Sequence, residues 1–407
     1  MGRVTKAATL ATTDVVVVGA GITGLSTAYE LRKSGFSVVV VEQRFAAFGA
    51  SGRNAGAVWL QTCRTGTELD LARAGKAKLR QYVSELGDGF EYQEKGGLFF
   101  FETEAQGRIL EEYVEDRRAA GLDVSILSVK EAQDLSAAFP ATALGAVYCA
   151  DDAQIDSQKF VAALSAACIR SGVRIFQNTA VLSELRNGPS VTGVKTIRGD
   201  ILASGVVWAT GAWITGLGNE GAMVPVGTAR MGQVVTQSID ALLGPVMHGP
   251  RGVDLVGALR DLPGFTAATF APPTGNHGQS VGYDDVITQN RAGSLFIGHS
   301  IDAVGSLNPH ISMAATQAMI STTLERFPGH AGLGVTGLWA GLMSTTPDGL
   351  PILDRVDGVY VNVGHTWGVA TGPISGQVMA EIISGERSDF ADALSIDRSA
   401  LESDVIG

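Results

Sequence analysis

Val15 to Val18 form an unbroken apolar run that leads into Gly19-Ala-Gly-Ile-Thr-Gly24. Such a run fits a parallel strand covered on both faces, and the glycines turn it into a helix predicted over Ile22 to Ser34, with Gly35 just past its end. Phe36 to Val41 reads as a second buried strand ending on Glu42. Together these make a βαβ unit, with Gly49 to Ala57 as its polar, glycine-rich return loop. Charged periodic stretches, Glu68 to Leu86 and Glu104 to Ala120, predict exposed amphipathic helices on either side of the aromatic, strand-like Phe90 to Phe101. A helix over Ser157 to Arg170 precedes a strand over Val173 to Phe176. Two further strands, Val191 to Ile197 and Ile201 to Trp208, flank the turn Arg198-Gly199-Asp200. From Val224 to about Gly334, short apolar runs broken by Pro and Gly predict an antiparallel sheet with long loops. Gly358 to Gly364 is again a buried strand, followed by a helix after Pro373, a residue suited to a first helical turn.

Strand–helix signals therefore sit at the start, in the middle and at the end of the chain. The expected fold is mixed α/β and α+β: a discontinuous Rossmann-like domain over 13–62, 148–224 and 335–400, with a second domain over 63–147 and 225–334 built on an antiparallel sheet. Composition narrows the class. With 45% apolar and 17% charged residues the chain is not disordered, and a net charge of −11 leaves no basic footprint for nucleic acid or anionic lipid. Cys63, Cys149 and Cys168 lie far apart, which excludes a CxxC or CxxxxC redox pair and an iron–sulfur cluster within the chain. The six histidines show no paired ligand spacing, so no metal is expected. Met1 to Asp14 lacks the apolar stretch of a secretory signal, and no apolar run is long enough to span a membrane, so the expectation is a cytoplasmic enzyme.

Gly19, Gly21 and Gly24 have the GxGxxG spacing in the context it needs, after a strand and opening a helix. The first glycine makes the turn, the second lets a pyrophosphate approach the Ala20–Gly21 backbone, and the third seats the helix on the strand. The anion then rests on amides at the helix start, around Ile22 and Thr23. Glu42 stands 42 − 19 = 23 residues on, where an acid binds a ribose hydroxyl pair, with Gln43 and Arg44 beside it. The loop Ala50-Ser51-Gly-Arg53-Asn54-Ala55-Gly56-Ala57 offers Ser51 and main-chain amides to a second phosphate, with Arg53 and Asn54 positioning the loop. Val207 to Trp213 ends a strand in the small residues Ala209, Thr210 and Gly211, as backbone passing close to a ligand requires. These additions point to FAD rather than NAD.

Val15-x-Val-x-Gly19 through Glu42, Ala50-Ser51-x-x-Asn54-Ala55-Gly56, Ala209-Thr210-Gly211 and Thr346-Pro347-Asp348-Gly349-Leu-Pro351 follow one another in order over nearly the whole chain. In this the sequence resembles the D-amino-acid oxidase superfamily of FAD enzymes, which includes glycine and sarcosine oxidases and D-amino-acid dehydrogenases. More narrowly, it resembles the flavin-carrying β subunits of opine oxidases, hydroxyproline dehydrogenases and hydrogen cyanide synthase. The resemblance implies a second domain whose antiparallel sheet roofs the flavin, and further cofactor contacts from Val181, Trp213 and Gly341. It also implies that the turn Gly364-His-Thr-Trp-Gly-Val-Ala-Thr-Gly-Pro373, with Gly368, Val369, Ala370 and Thr371 opening the helix, meets the pyrimidine edge of the flavin.

The implied reaction is hydride transfer from a carbon bearing an amine to flavin N5, giving an imine that hydrolyses. Oxygen, another acceptor or a partner subunit takes the electrons. Where many relatives carry an arginine for the substrate carboxylate, this sequence has Met343, which leaves Arg291 as a replacement anchor or a substrate without a neighbouring carboxylate. Where some relatives attach the flavin through cysteine, this sequence has Gly341, so the FAD is expected to be non-covalent. His299, His365, Trp367, Met343 and Thr345 fall on segments expected to face the substrate, and no catalytic triad is expected.

Overall fold

The computed structural model describes residues 8–217, 224–240, 244–270, 282–302 and 307–401, Leu217 and Asp254 by their backbone alone. The start of the N-terminal segment, read above as lacking a signal, lies outside the described residues. Contacts divide the chain into two compact units: Met1–Gly52, Gln158–Thr228 and Met343–Gly407 form the first, and Arg53–Ser157 with Ala229–Leu342 the second. Among the described residues no helix is long and apolar enough to cross a membrane.

The first unit is built on an eight-stranded sheet. Its main path runs Ile352–Val356, Val359–Val363, Gly199–Trp208, Thr9–Val18, Val38–Val41 and Arg174–Phe176, and the pair Val181–Asn187 and Ser190–Thr196 extends Gly199–Trp208. Thr9–Val18 lies parallel to both neighbours, with Val15 opposite Val38 and Val18 opposite Trp208. The two valine runs are buried throughout, which is why they lack the alternation of a one-faced strand. The second run starts at Val38 rather than Phe36, because the Ser37 amide is spent on the Asp14 carboxylate at 2.7 Å.

Two helices of this unit pack with almost no side chain between them. The first, Ile22–Lys33, stops at Ser34, with Gly35 at φ +92°. The closing helix, Gly368–Ser384, starts five residues before Pro373, which therefore sits inside it rather than in its first turn. The Trp367 carbonyl already accepts the amides of Ala370 and Thr371, and this begins the helix upstream of the proline. A Cβ on Gly376 would come within 2.5 Å of main-chain and side-chain carbons of Ser26, so only glycine allows this approach.

The second unit carries an eight-stranded sheet in the order Val335–Thr345, Gly227–Ser238, Ser294–Asp302, Gly282–Gln289, Val246–His248, Gly97–Phe101, Gly145–Cys149, Val124–Ser128. From Gly227–Ser238 to Val124–Ser128 it is antiparallel except where Val246–His248 runs parallel to Gly97–Phe101. The helix Met313–Arg326, which no periodicity predicted, covers one face through Met319, against Leu98, Val234, Met247, Ile287 and Ile297. Helix Thr67–Leu86 is far more buried than its charges predict. Leu71, Leu79 and Tyr82 are fully enclosed, Lys76 donates to the Asp151 carbonyl at 2.6 Å, and the Lys78 ammonium lies 5.3 Å from the Tyr82 ring centre. The first unit gives way to the second at Gly52, before 62, because Ala57–Val58 pairs with Ala153–Gln154 and Thr288 donates to the Ala55 carbonyl. The chain returns at Met343, after 335, because Val335–Thr345 is an edge strand of the second sheet.

Gly376→Ala should force the two helices apart, at a cost of about 1–3 kcal/mol from overpacking. Thermal unfolding of the variant should begin several degrees lower, while Gly35→Ala, where no atom lies within 4 Å of the added carbon, should show only the smaller backbone effect of a positive φ.

Candidate functional site

In the first unit the strand order reverses at Thr9–Val18, which is flanked by Val38–Val41 on one side and by the much later Gly199–Trp208 on the other. Ligands of open α/β sheets bind at the carboxyl ends of the strands at such a point. The Gly19 amide donates to the Val41 carbonyl and the Ala209 amide to the Val18 carbonyl, so three strand ends are tied together here. Gly19 has φ +111°, and a Cβ on it would lie 2.4 Å from the Ala209 carbonyl oxygen. On Gly24 it would lie 2.1 Å from the Gly19 oxygen, and on Gly21 2.8 Å from Ser51 Oγ. Each glycine of the motif has its own steric reason.

Ser51 Oγ accepts the amide of Ile22 at 3.0 Å, which caps the first helix from a distant loop in place of the side chain that Gly21 lacks. Thr23 follows within the first turn. The Glu42 carboxylate accepts the amides of Ala20 at 3.0 Å and Arg44 at 2.9 Å, across Gln43. Burial outweighs these bonds and raises its pKa. Each carboxylate oxygen keeps a lone pair for a ribose hydroxyl. Ala50 opens a short 3-10 turn with Ser51, and the Trp213 ring lies over Gly49. Val181 starts a strand on the edge hairpin, half-buried against the sheet core.

The other end of the cradle is the turn before the closing helix. His365 Nε2 donates to Asn362 Oδ1 at 2.8 Å, and Nδ1 faces Thr371 Oγ1 at 2.9 Å. The residue is half-buried, and desolvation pushes its pKa down to about 3. His365 thus leaves no nitrogen for a substrate; it fastens the turn that carries Trp367, Gly368, Val369 and Ala370. Asn362, a polar residue inside Val359–Val363, completes this fastening through Ser375 and is a residue the sequence reading missed; amide chemistry within a buried strand was its signal. The buried hydroxyl oxygens of Thr210 and Thr366 have no hydrogen-bond partner among the described residues, although nearly all buried polar atoms do. Glycines that leave the backbone bare, together with orphaned hydroxyls at two strand ends, fit a large polar ligand such as FAD. In the same unit Met343 and Thr345 are half-buried on the strand leading to the turn Thr346–Gly349, where Asp348 takes both ends of the Arg398 guanidinium, and Thr345 closes on Gly227.

In the second unit Asn54 Oδ1 accepts the Gly56 amide and the Ser157 hydroxyl, both at 2.8 Å, and Ala57 continues into a strand. Gly56, at φ +76°, leaves no room for a Cβ against the Ile155 carbonyl. Arg53 donates to the Ala340 carbonyl at 2.9 Å, next to Gly341. His299 is buried and bonded to Asp284. Arg291 departs from its expected role. It sits in the hairpin turn before Ser294, half-exposed, with Nη2 on the Asp88 carboxylate at 2.6 Å. A short turn puts its long side chain outward, and a neighbouring acid captures it there.

A family model described as FAD dependent oxidoreductase matches residues 14–382. The chain belongs to this family. It is 25% identical over 389 residues to the glycine oxidase of Geobacillus kaustophilus (strain HTA426), covering 93% of this chain and 94% of that protein. It is also 25% identical to a sarcosine oxidase subunit beta of an Arthrobacter species, covering 93% and 89%. The crystal structure of glycine oxidase from Geobacillus kaustophilus superposes with a TM-score of 0.80 at 22% identity, covering 95% and 99%, which shows the same fold. In the first unit of this FAD-dependent oxidoreductase the glycine motif, Glu42 and Ser51 are gathered at the strand ends.

Three outcomes follow. Glu42→Gln keeps the shape but loses charge-assisted bonds, so FAD should bind about tenfold to a hundredfold more weakly by fluorescence titration. Arg291→Met should leave KM within about twofold of wild type, since the guanidinium serves Asp88. His365 has a folded pKa below its unfolded value, so its contribution to stability is present above the unfolded pKa and is lost as pH falls toward 3. Unfolding temperature should therefore drop as pH falls below about 6.5, and the drop should be shallower in His365→Gln.

Proposed function

We propose that this FAD-dependent oxidoreductase oxidises the C–N bond of an amino acid, an N-substituted amino acid or a related amine, with FAD held non-covalently. The observation that carries the reading is the completeness of the dinucleotide cradle, from Gly19 and Glu42 to the helix opening at Gly368, in a family whose similar members include a glycine oxidase and a sarcosine oxidase subunit. FAD, when bound, supplies the two-electron acceptor, taking hydride at N5. The chain's part is to hold the amine neutral and oriented. For an amine of pKa near 10, losing the proton at pH 7 costs ~4 kcal/mol, and an apolar site that disfavours the cation reduces this. The amides opening the helix at Gly368 would favour negative charge on a reduced flavin. The imine product hydrolyses in water to a carbonyl compound and an amine or ammonia.

Non-covalent binding is supported by the thiols. Cys63, Cys149 and Cys168 are all buried, and burial raises the pKa of each, so none is a nucleophile for the flavin ring. A second reading, favoured by the likeness to a β subunit, makes the chain the flavin carrier of a larger dehydrogenase. Anaerobic addition of glycine, sarcosine, other amino acids and simple amines to the yellow protein should bleach the flavin with at least one of them. Bleaching by none defeats the proposal. Acid precipitation should release all the flavin into the supernatant; flavin left in the pellet refutes non-covalent attachment. Peroxide formed on reoxidation in air marks an oxidase, and its absence marks the partner-dependent enzyme.

A further inference from the structure

Asn362 is wholly buried inside the strand Val359–Val363 of the first unit, and three oxygens face its amide nitrogen. Thr27 Oγ1 on the first helix, and Ser375 Oγ and the Ser375 carbonyl on the closing helix, each lie 3.3 Å from Nδ2. Both hydroxyls already donate elsewhere, Thr27 to the Thr23 carbonyl and Ser375 to the Gly372 carbonyl, each at 2.8 Å. All three oxygens can therefore only accept, which fixes the NH2 end of the amide toward them and Oδ1 toward His365. Oδ1 lies 2.8 Å from His365 Nε2 and has no proton to give, so the proton between them belongs to Nε2. The neutral ring then carries its lone pair on Nδ1, 2.9 Å from Thr371 Oγ1, and the Thr371 hydroxyl donates to it. That hydroxyl also lies 3.1 Å from the Trp367 carbonyl, but this carbonyl already accepts the amides of Ala370 and Thr371, so the proton goes to the imidazole.

The result is a chain with one direction: Thr371 to His365, His365 to Asn362, Asn362 to both helices. It joins the first helix, the strand, the turn and the closing helix, all within the first unit. The closing helix needs such a tie. Pro373 has no amide for the Val369 carbonyl, and Trp367 at the N-cap makes no side-chain bond, whereas helices Glu104–Ala119 and Met313–Arg326 start on the hydroxyls of Thr103 and Ser312. The bond from Thr371 to His365 closes the first turn of the helix back onto the segment before it, the polar counterpart of a hydrophobic staple. The amides of Gly368 and Val369, at the first two helical positions, have no acceptor within the helix. In the same turn Thr366 keeps a buried hydroxyl oxygen without a hydrogen-bond partner among the described residues.

We propose that Asn362 and His365 are positioning residues for the flavin: their proton-ordered chain holds the opening of the closing helix at one height against the first helix, and this sets how strongly the amides of Gly368 and Val369 favour reduced over oxidised FAD. The inference rests on the reading above in which those amides meet the flavin; it does not depend on which amine is oxidised. The chain gives up no proton and transfers no electron. Its work is to keep a row of N–H dipoles in register, and a dipole aimed at developing charge acts through its placement. Thr27 lies one turn and a half beyond Ile22, whose amide Ser51 caps, so the same asparagine ties the helix of the glycine motif to the helix at the other end of the cradle. Loss of the chain leaves Glu42, Ser51 and the glycine motif in place, so the potential of bound FAD should respond more than its retention.

Holoprotein labelled with ¹⁵N-histidine tests the chain without turnover. Of six histidine signals, the one missing in His365→Phe belongs to His365. At neutral pH it should show the Nε2–H tautomer and keep it in Thr371→Val. In Asn362→Leu it should switch to Nδ1–H, because Thr371 is then the acceptor that remains. An Nδ1–H tautomer in the wild type overturns the proposal. The midpoint potential of bound FAD, taken by anaerobic photoreduction against a reference dye with no amine present, is the second readout. Asn362→Leu and His365→Phe should weaken the preference for reduced FAD by about threefold to tenfold, or about 15–30 mV for a two-electron couple. Thr371→Val should shift it less, and Thr371→Ser, which restores the hydroxyl, should match wild type. Unchanged potentials in Asn362→Leu and His365→Phe overturn the proposal; if Asn362→Leu does not fold, His365→Phe and the Thr371 pair decide. Gly368→Asp judges the reading beneath it, since the added Cβ meets only His365 Cβ at 3.4 Å and the carboxylate should lower the potential if the flavin lies at the helix opening. A shift in Gly368→Asp without one in the chain variants defeats the proposal alone; no shift in any of them defeats the reading and the proposal together.

Discussion

The constraint on which the cradle depends is the approach of the Gly19 backbone to the Ala209 carbonyl at the ends of two parallel strands. A side chain at Gly19 would separate the strands that carry Val18 and Trp208 and close the space over their ends. Everything on the cofactor side answers to this approach. Gly24 lets the first helix follow the turn without a step, Ser51 supplies the cap that Gly21 cannot, and Glu42 draws the Ala20 and Arg44 amides around itself. The helix from Gly368 packs on the first through Gly372 and Gly376, so small residues fix the spacing at both ends.

Where burial on both faces makes a strand wholly apolar, its position is legible in the sequence. The valine runs, the glycine motif and Glu42 could be placed because each residue type answers a local demand of the backbone. Non-local demands were not legible. Pro373 reads as a helix start, yet the Trp367 carbonyl begins the helix earlier. Lys76 and Lys78 read as exposed, yet Lys76 reaches the Asp151 carbonyl and the Lys78 ammonium lies over the Tyr82 ring. Arg291 could be matched to an anchor in the sequence, but Asp88, two hundred residues earlier, captures it.

The polar network of the second unit was the least legible part. His299 stood out as a histidine in an apolar run, but Asp284 becomes its companion only through strand order and two register shifts. The adjacent acids Asp284 and Asp285 in an otherwise apolar strand were the available signal. They divide the work by face: one neutralises Arg326 under the helix, and the other orients an imidazole. The aspartate pair is thus two buried groups with opposite tasks.

The enclosure of Cys63, Cys149 and Cys168 bears on durability. Sulfur oxidation begins with an accessible thiolate, and here desolvation keeps each thiol protonated and out of reach. An enclosed, protonated thiol offers an oxidant no accessible start toward sulfenic acid.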